Sequence, residues 1–207
     1  MLNRQPEFDW KHSSFIDDHQ ARELRPACTL ADGSIYLGEW LISINQINGR
    51  GTRVWPDGSR YDGWVTDSVP NGYGRKIDKN GNLYQGTWKD NKADGYGKYV
   101  NLKDRSMYKG NWQNDRKHGQ GAEKYKDGSK YQGSFENGMK HGKGEMQFSD
   151  KSYYQGDFEQ NQFSGKGIYH WSDGRTYDGE WKNHLIDGFG TYKWPDGRKY
   201  VGRYVKE

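Results

Sequence analysis

The 207-residue chain is short of aliphatic side chains: leucine, isoleucine and valine number 8, 8 and 6. That is too few to fill the core of a layered α/β enzyme. No stretch approaches the ~18 apolar residues of a membrane-spanning helix. Cys28 is the only cysteine, so no internal disulfide can form and a reducing compartment suits the chain. Net charge is scarce too. The 32 basic and 28 acidic residues leave +4, far from the charge excess that accompanies low hydrophobicity in disordered chains. Residues 1–31 have no continuous apolar stretch and mix acids with bases. They read neither as a secretion signal nor as a mitochondrial transit segment, and the default location is the cytoplasm.

Aromatics and glycine are plentiful instead, at 15% of the chain and 29 residues. Their positions repeat. A Tyr-x-Gly unit recurs at Tyr36, Tyr61, Tyr84, Tyr108, Tyr131, Tyr154, Tyr177 and Tyr200. Two residues after its glycine stands Trp40, Trp88, Trp112, Phe135, Phe158, Trp181 or Tyr204. The second unit is shifted, with Trp64 directly after Gly63 and Val65 in the usual aromatic place. A Gly-x-Gly follows in each of the first seven units. An Asp-Gly or Asn-Gly precedes most of the tyrosines, with Arg105 and Lys151 where two more glycines are expected. Of the 29 glycines only Gly138 falls outside this scheme.

One unit reads as a β-hairpin. Tyr-x-Gly-x-Trp alternates with period two, so tyrosine, glycine and tryptophan share a face and the polar x residues take the other. Gly-x-Gly and the aromatic four residues later, such as Tyr125, Phe148 or Trp171, supply the second strand. Glycine inside a strand marks the close approach of something bulky, here an aromatic ring. Trp-Pro-Asp-Gly at 55–58 and 194–197 is a turn in which proline presets φ and glycine accepts φ > 0.

These residues resemble the MORN repeat, and the resemblance runs over residues 32–204. It implies an all-β fold: one elongated, twisted antiparallel sheet of tandem hairpins, seven full repeats and a C-terminal half repeat. The domain reading is an N-terminal extension or cap over 1–31 and a repeat sheet over 32–207. In the extension, Ser14 and Asp17 suggest a capping box and Pro26 a stop, so a short helix is expected over 15–25, packed on the first sheet edge.

No catalytic constellation emerges, and the chain reads as a non-enzyme without metal or cofactor. The Gly-x-Gly units lead into no helix, which a nucleotide fingerprint requires. His118 and His141 sit one repeat apart, ~9–10 Å by strand spacing, too far to share one zinc ion. The row Trp40, Trp88, Trp112, Phe135, Phe158 and Trp181 is both core and candidate groove for a partner, because a one-layer sheet leaves one side of the rings accessible. Arg116, Lys117 and His118 in one loop, with Lys140, His141 and Lys143 in the next, form a candidate patch for an acidic protein segment or anionic lipid. Nucleic acid is disfavoured by the interleaved acids. Tyr200, Val201, Arg203 and Tyr204 form a candidate pairing edge for a second copy or an assembly partner.

The resemblance implies a protein-binding scaffold or adaptor, a structural component of a cytoskeletal, ciliary or axonemal assembly of radial-spoke type. The other reading is a peripheral membrane module that binds anionic phospholipid through the basic patch. The absence of an amphipathic helix or lipidation motif favours the scaffold.

Overall fold

A computed structural model of the chain describes residues 20–205, which belong to two compact units, Met1–Lys103 and Asp104–Glu207. The first unit holds β1 (Arg22–Thr29), β2 (Ile35–Leu41), β3 (Gln46–Val54), β4 (Arg60–Thr66), β5 (Val69–Ile77), β6 (Leu83–Lys89) and β7 (Lys92–Asn101). The second holds β8 (Ser106–Gln113), β9 (Arg116–Lys124), β10 (Lys130–Glu136), β11 (Met139–Gln147), β12 (Tyr153–Glu159), β13 (Gln162–His170), β14 (Thr176–Lys182), β15 (Leu185–Lys193) and β16 (Lys199–Tyr204). Within each unit every strand pairs antiparallel with the next, in chain order. The described residues contain no helix.

Two kinds of turn join the strands. Inside most hairpins the turn is two residues long with φ > 0 at both, as at Asn114–Asp115, Asn137–Gly138 and Asn183–His184. This is the type I′ geometry whose twist matches the flanking strands, and asparagine and aspartate tolerate it best among residues with a Cβ. Between hairpins the turn is longer. Tyr125 N–H donates to Ser129 O and Gly128 N–H to Tyr125 O, and the Asp127 carboxylate accepts from both the N–H and the hydroxyl of Ser129. Lys151 and Arg105 stand at the glycine position of such turns and adopt φ of 73° and 49°.

One difference from the sequence reading lies in the N-terminal extension. Residues 22–25, expected in a helix, open strand β1, while 15–19 lie outside the described residues. β1 pairs with β2 along the edge that the helix was expected to cover. Pro26 sits where the register slips between Arg25 and Cys28. A bulge in a strand beside the repeats is one of the few sheet positions that tolerates a residue without an N–H.

The core explains how a one-layer sheet buries large rings. Glycines from adjacent strands face each other, Gly133 with Gly144 and Gly156 with Gly167. The tyrosine of the same hairpin lies flat on that pair. A Cβ on Gly144 would stand 2.4 Å from the Tyr131 hydroxyl. The hydroxyl reaches past the glycines and donates to a main-chain oxygen three residues on, Tyr131 to Ser134 O at 2.9 Å and Tyr61 to Trp64 O at 2.7 Å. Aromatic rings meet the tyrosine edge-on. Tyr131 contacts Phe135 at 5.1 Å and Phe158 of the following repeat at 5.0 Å between centroids. The outer face of the tyrosine is covered by a residue of the second strand, and Phe163 stacks on Tyr154 at 3.8 Å. Tyrosines 36, 61, 108, 131, 154 and 177 are consequently fully buried.

The two glycines of Gly-x-Gly therefore do different work. The second makes room for the tyrosine. The first, such as Gly165 with φ 56°, lies within a bulge of the second strand, where Gly165 and Lys166 are the extra residues as the register slips between Gly156 and Asp157, and there the backbone itself calls for glycine.

Repeat two departs from the pattern. Val65 takes the aromatic place and pairs with Pro70, so Trp64 turns to the opposite face beside Asp62, which pairs with Arg75. Asp62 and Arg75 are both buried. Burial alone would raise the Asp62 pKa, but hydrogen bonds from Arg60, Thr52 and Arg75 outweigh it and hold the carboxyl below its usual range. A folded-state pKa below the unfolded value adds stability above pH ~4 that is lost as pH falls through the folded value. Urea unfolding of the chain is expected to show a falling midpoint below pH ~4, and Asp62→Asn should lower stability at neutral pH while flattening that acid dependence. Parallel pH profiles for the two proteins would rule this out.

Candidate partner-binding surface

The six aromatics expected to form a groove divide into two groups. Trp88, Phe135, Phe158 and Trp181 are buried, and Trp40 and Trp112 are partly so. Their edges are spent on the tyrosines, as with Trp181 against Tyr177 at 5.3 Å and Tyr154 at 5.4 Å. Two indoles are also tied down, Trp88 Nε1 donating to Gly74 O and Trp181 Nε1 to Gly167 O. These rings are chiefly the core layer.

The accessible rings come from the second strands and the turns that follow them, in places the sequence reading used only to define a strand. In the second unit Phe148, Tyr169, Trp171, Tyr192 and Trp194 are half-buried. They run in contact, with centroids 5.8, 4.6, 5.3 and 4.7 Å apart in that order. Arg175 lies over Trp171 and bonds the Tyr192 hydroxyl, and Arg198 lies over Trp194. The spacing of Phe148, Trp171 and Trp194 could have revealed the row, since each occupies the same place in its repeat.

The basic residues lie in strands β9 and β11, not in loops, and they do not share one surface. Strand alternation puts Arg116 and His118 on the face away from Lys117. Lys117 and Lys140 sit on the aromatic side, their ammonium groups 5.2 Å from the Tyr108 ring and 5.4 Å from the Tyr131 ring. His141 Nε2 lies 3.4 Å from the Glu136 carboxylate. Lys143 points to the other side, where it pairs with Asp157 at 2.7 Å. That polar side is floored by glycines and carries an open cleft of ≈ 700 Å³ lined by Gln132, Lys143, Gln155 and Lys166 among others. On β16, Tyr200 and Val201 are exposed, and Tyr204 packs against Tyr177 at 5.2 Å. Among the described residues no cluster of three or more His, Cys, Asp or Glu side chains could hold a metal ion, and no helix is long and apolar enough to cross a membrane.

The MORN repeat model matches residues 36–60, 84–100, 108–130, 131–153, 154–174 and 177–197. These segments make up more than half of the chain, and it belongs to the MORN-repeat family. No curated protein matches the chain in sequence. Among solved structures it is similar to the TCP domain of Drosophila melanogaster SAS-4 (dCPAP) in complex with a proline-rich motif of Ana2 (dSTIL). That similarity is at 16% identity and a TM-score of 0.47, over 86% of this chain and 90% of that one. It is also similar to the TCP10 domain of Danio rerio CPAP in complex with a STIL peptide, at 12% identity and a TM-score of 0.36, over 88% and 84% of the two chains.

Proposed function

We propose that the chain is a non-catalytic scaffold that binds protein partners along the aromatic side of its repeats, within a cytoskeletal or ciliary assembly of radial-spoke type. The observation that carries this reading is the continuous row of half-buried rings from Phe148 to Trp194 beside a layer that is already filled. Partly exposed tryptophan and tyrosine next to arginine are the residues that dominate protein interfaces. The membrane alternative has less support, because Arg116 and Lys143 lie on the side opposite Lys117 and Lys140 and cannot meet one lipid surface together. The exposed Tyr200 and Val201 of β16 are proposed as a second contact, for a strand of a partner or of another copy. Light scattering that finds only monomer would remove the self-pairing option.

The test is affinity capture from ciliated cells with the parent chain and with the Trp171→Ala, Trp194→Ala double variant. Partners retained by the parent should be lost with the double variant, whose melting temperature should fall only slightly because both rings are half-exposed. Equal capture by the two proteins would count against the surface.

A further inference from the structure

In each full repeat one residue of the second strand stands opposite the residue two places after the Tyr-x-Gly glycine, and at Phe163, Lys117 and Lys140 it lies over the ring of the repeat's tyrosine. Five of the seven are apolar: Ile47, Pro70, Ala93, Phe163 and Ile186. The other two, in adjacent repeats, are Lys117 opposite Trp112 and Lys140 opposite Phe135. Replacing an apolar cover with an ammonium inside an aromatic layer costs stability unless the charge finds a partner.

Lys117 has found one. It donates to a carboxylate oxygen of Glu123, whose other oxygen accepts from the Tyr125 hydroxyl at 2.6 Å. Glu123 is thereby occupied on both sides. Lys140 differs. Its ammonium stands 5.1 Å from the Tyr125 ring and 5.4 Å from the Tyr131 ring. No carboxylate among the described residues forms an ion pair with it. Burial lowers its pKa; Glu123 opposes that and Lys117 adds to it. The charge rests on two ring faces and on the field of the Glu123 carboxylate, with no ion pair of its own, beside Tyr125, which stands one repeat before Phe148.

We propose that Lys140 recognises a carboxylate of the bound protein. The partner segment offers Asp or Glu to the ammonium, with aromatic or aliphatic side chains on either side resting on Tyr125 and Phe148. This rests on the reading of the aromatic side as a protein-binding surface and names the chemistry of what binds there. A single carboxylate is favoured over a phosphate or lipid headgroup because the site supplies one free ammonium. Its basic neighbours are engaged or turned away: Lys117 by Glu123, His141 by Glu136, Lys143 by Asp157 on the opposite side, and His184, whose Nδ1 accepts from Phe163 N–H and whose protonation burial and the Lys140 charge both disfavour. A phosphate is ordinarily held by several donors converging on it.

The experiment selects a phage-displayed library of random short peptides on the full chain. Lys140→Met and Lys143→Met are run in parallel, with the Trp171→Ala, Trp194→Ala protein as a further control. Methionine suits the site, since five sister positions are apolar and its stem resembles that of lysine. The parent should enrich peptides in which an acid is flanked by aromatic or aliphatic residues. Lys140→Met should bind those peptides at least ~10-fold more weakly and Lys143→Met as well as the parent. Lys140→Met should also melt at or above the parent temperature, a loss of binding without loss of stability that a merely structural lysine would not give. Enriched peptides without an acid, or equal binding by Lys140→Met, would overturn the assignment and leave the broader reading standing, provided the double tryptophan variant loses them. If no peptide is enriched, both fall. Binding to phosphatidylserine vesicles that depends on Lys140 would replace the protein carboxylate with lipid and overturn the proposal.

Discussion

Gly156→Ala should unfold the second unit or come close to it. A Cβ there would lie 2.5 Å from the Cα of Gly167, 2.6 Å from the main-chain oxygen of Lys166 and 2.5 Å from the Tyr154 hydroxyl. The first two are backbone atoms of the paired strand, so no side-chain rotation relieves the clash. The strands would have to separate, and that breaks their hydrogen bonds. Overpacking usually costs ~1–3 kcal/mol, and a backbone clash belongs at or above ~3. Against a typical total of ~5–15 kcal/mol this removes much of the stability. Gly128→Ala is the contrast. Its Cβ would meet nothing within 4 Å, and only its φ of 91° opposes the change, so the loss should be markedly smaller. Urea unfolding of the two variants ranks them, and an unchanged midpoint for Gly156→Ala would contradict the packing described.

The second large effect is expected of Trp181→Ala. The ring is 6% exposed and meets Tyr154, Phe163 and Tyr177 at 5.3–5.5 Å. Its indole N–H donates to Gly167 O at 2.9 Å. Truncation opens a cavity shared by two repeats and strips a hydrogen bond from that main-chain oxygen. Tryptophan-to-alanine changes in cores cost ~3–5 kcal/mol, and ~4 is expected here. A melt indistinguishable from the parent would show that the ring is not packed in this layer. Trp171→Ala, at a half-buried position in the neighbouring row, should cost less stability and more binding.

The repeat was legible in the sequence because its tyrosines and the strand glycines paired beneath them leave no room for a substitute, even where the turn glycine gives way to Arg105 or Lys151. Tyr131 needs Gly133 and Gly144 beneath it, so the pattern cannot drift. What escaped the sequence reading carried no such signature. β1 contains a proline and lies outside the period, and its strand character comes from pairing with β2. The basic residues fall in loops only if each hairpin connection is long, and the connections at Asn114–Asp115 and Asn137–Gly138 are two-residue turns. Once those turns are placed, Arg116 and Met139 open strands and the charges alternate between faces. The spacing of the row Trp40 to Trp181 shows that it is a layer, but its rings are less accessible than a one-layer sheet implies. How closely each ring seats against the next repeat's tyrosine depends on inter-strand register, which spacing alone does not give. The column holding Lys117 and Lys140 becomes meaningful only beside Phe163 stacked on Tyr154.

The central claim is that partners meet the aromatic side of the second unit, on the rings that the core leaves accessible. Carbene footprinting of the chain, free and in complex with a captured partner, reads side-chain accessibility at that surface directly. Protection at Tyr125, Phe148, Trp171 and Trp194, with Gln132, Gln155 and Lys166 labelled equally in both states, is the expected result. Protection confined to Gln132, Gln155 and Lys166 on the opposite side would contradict it.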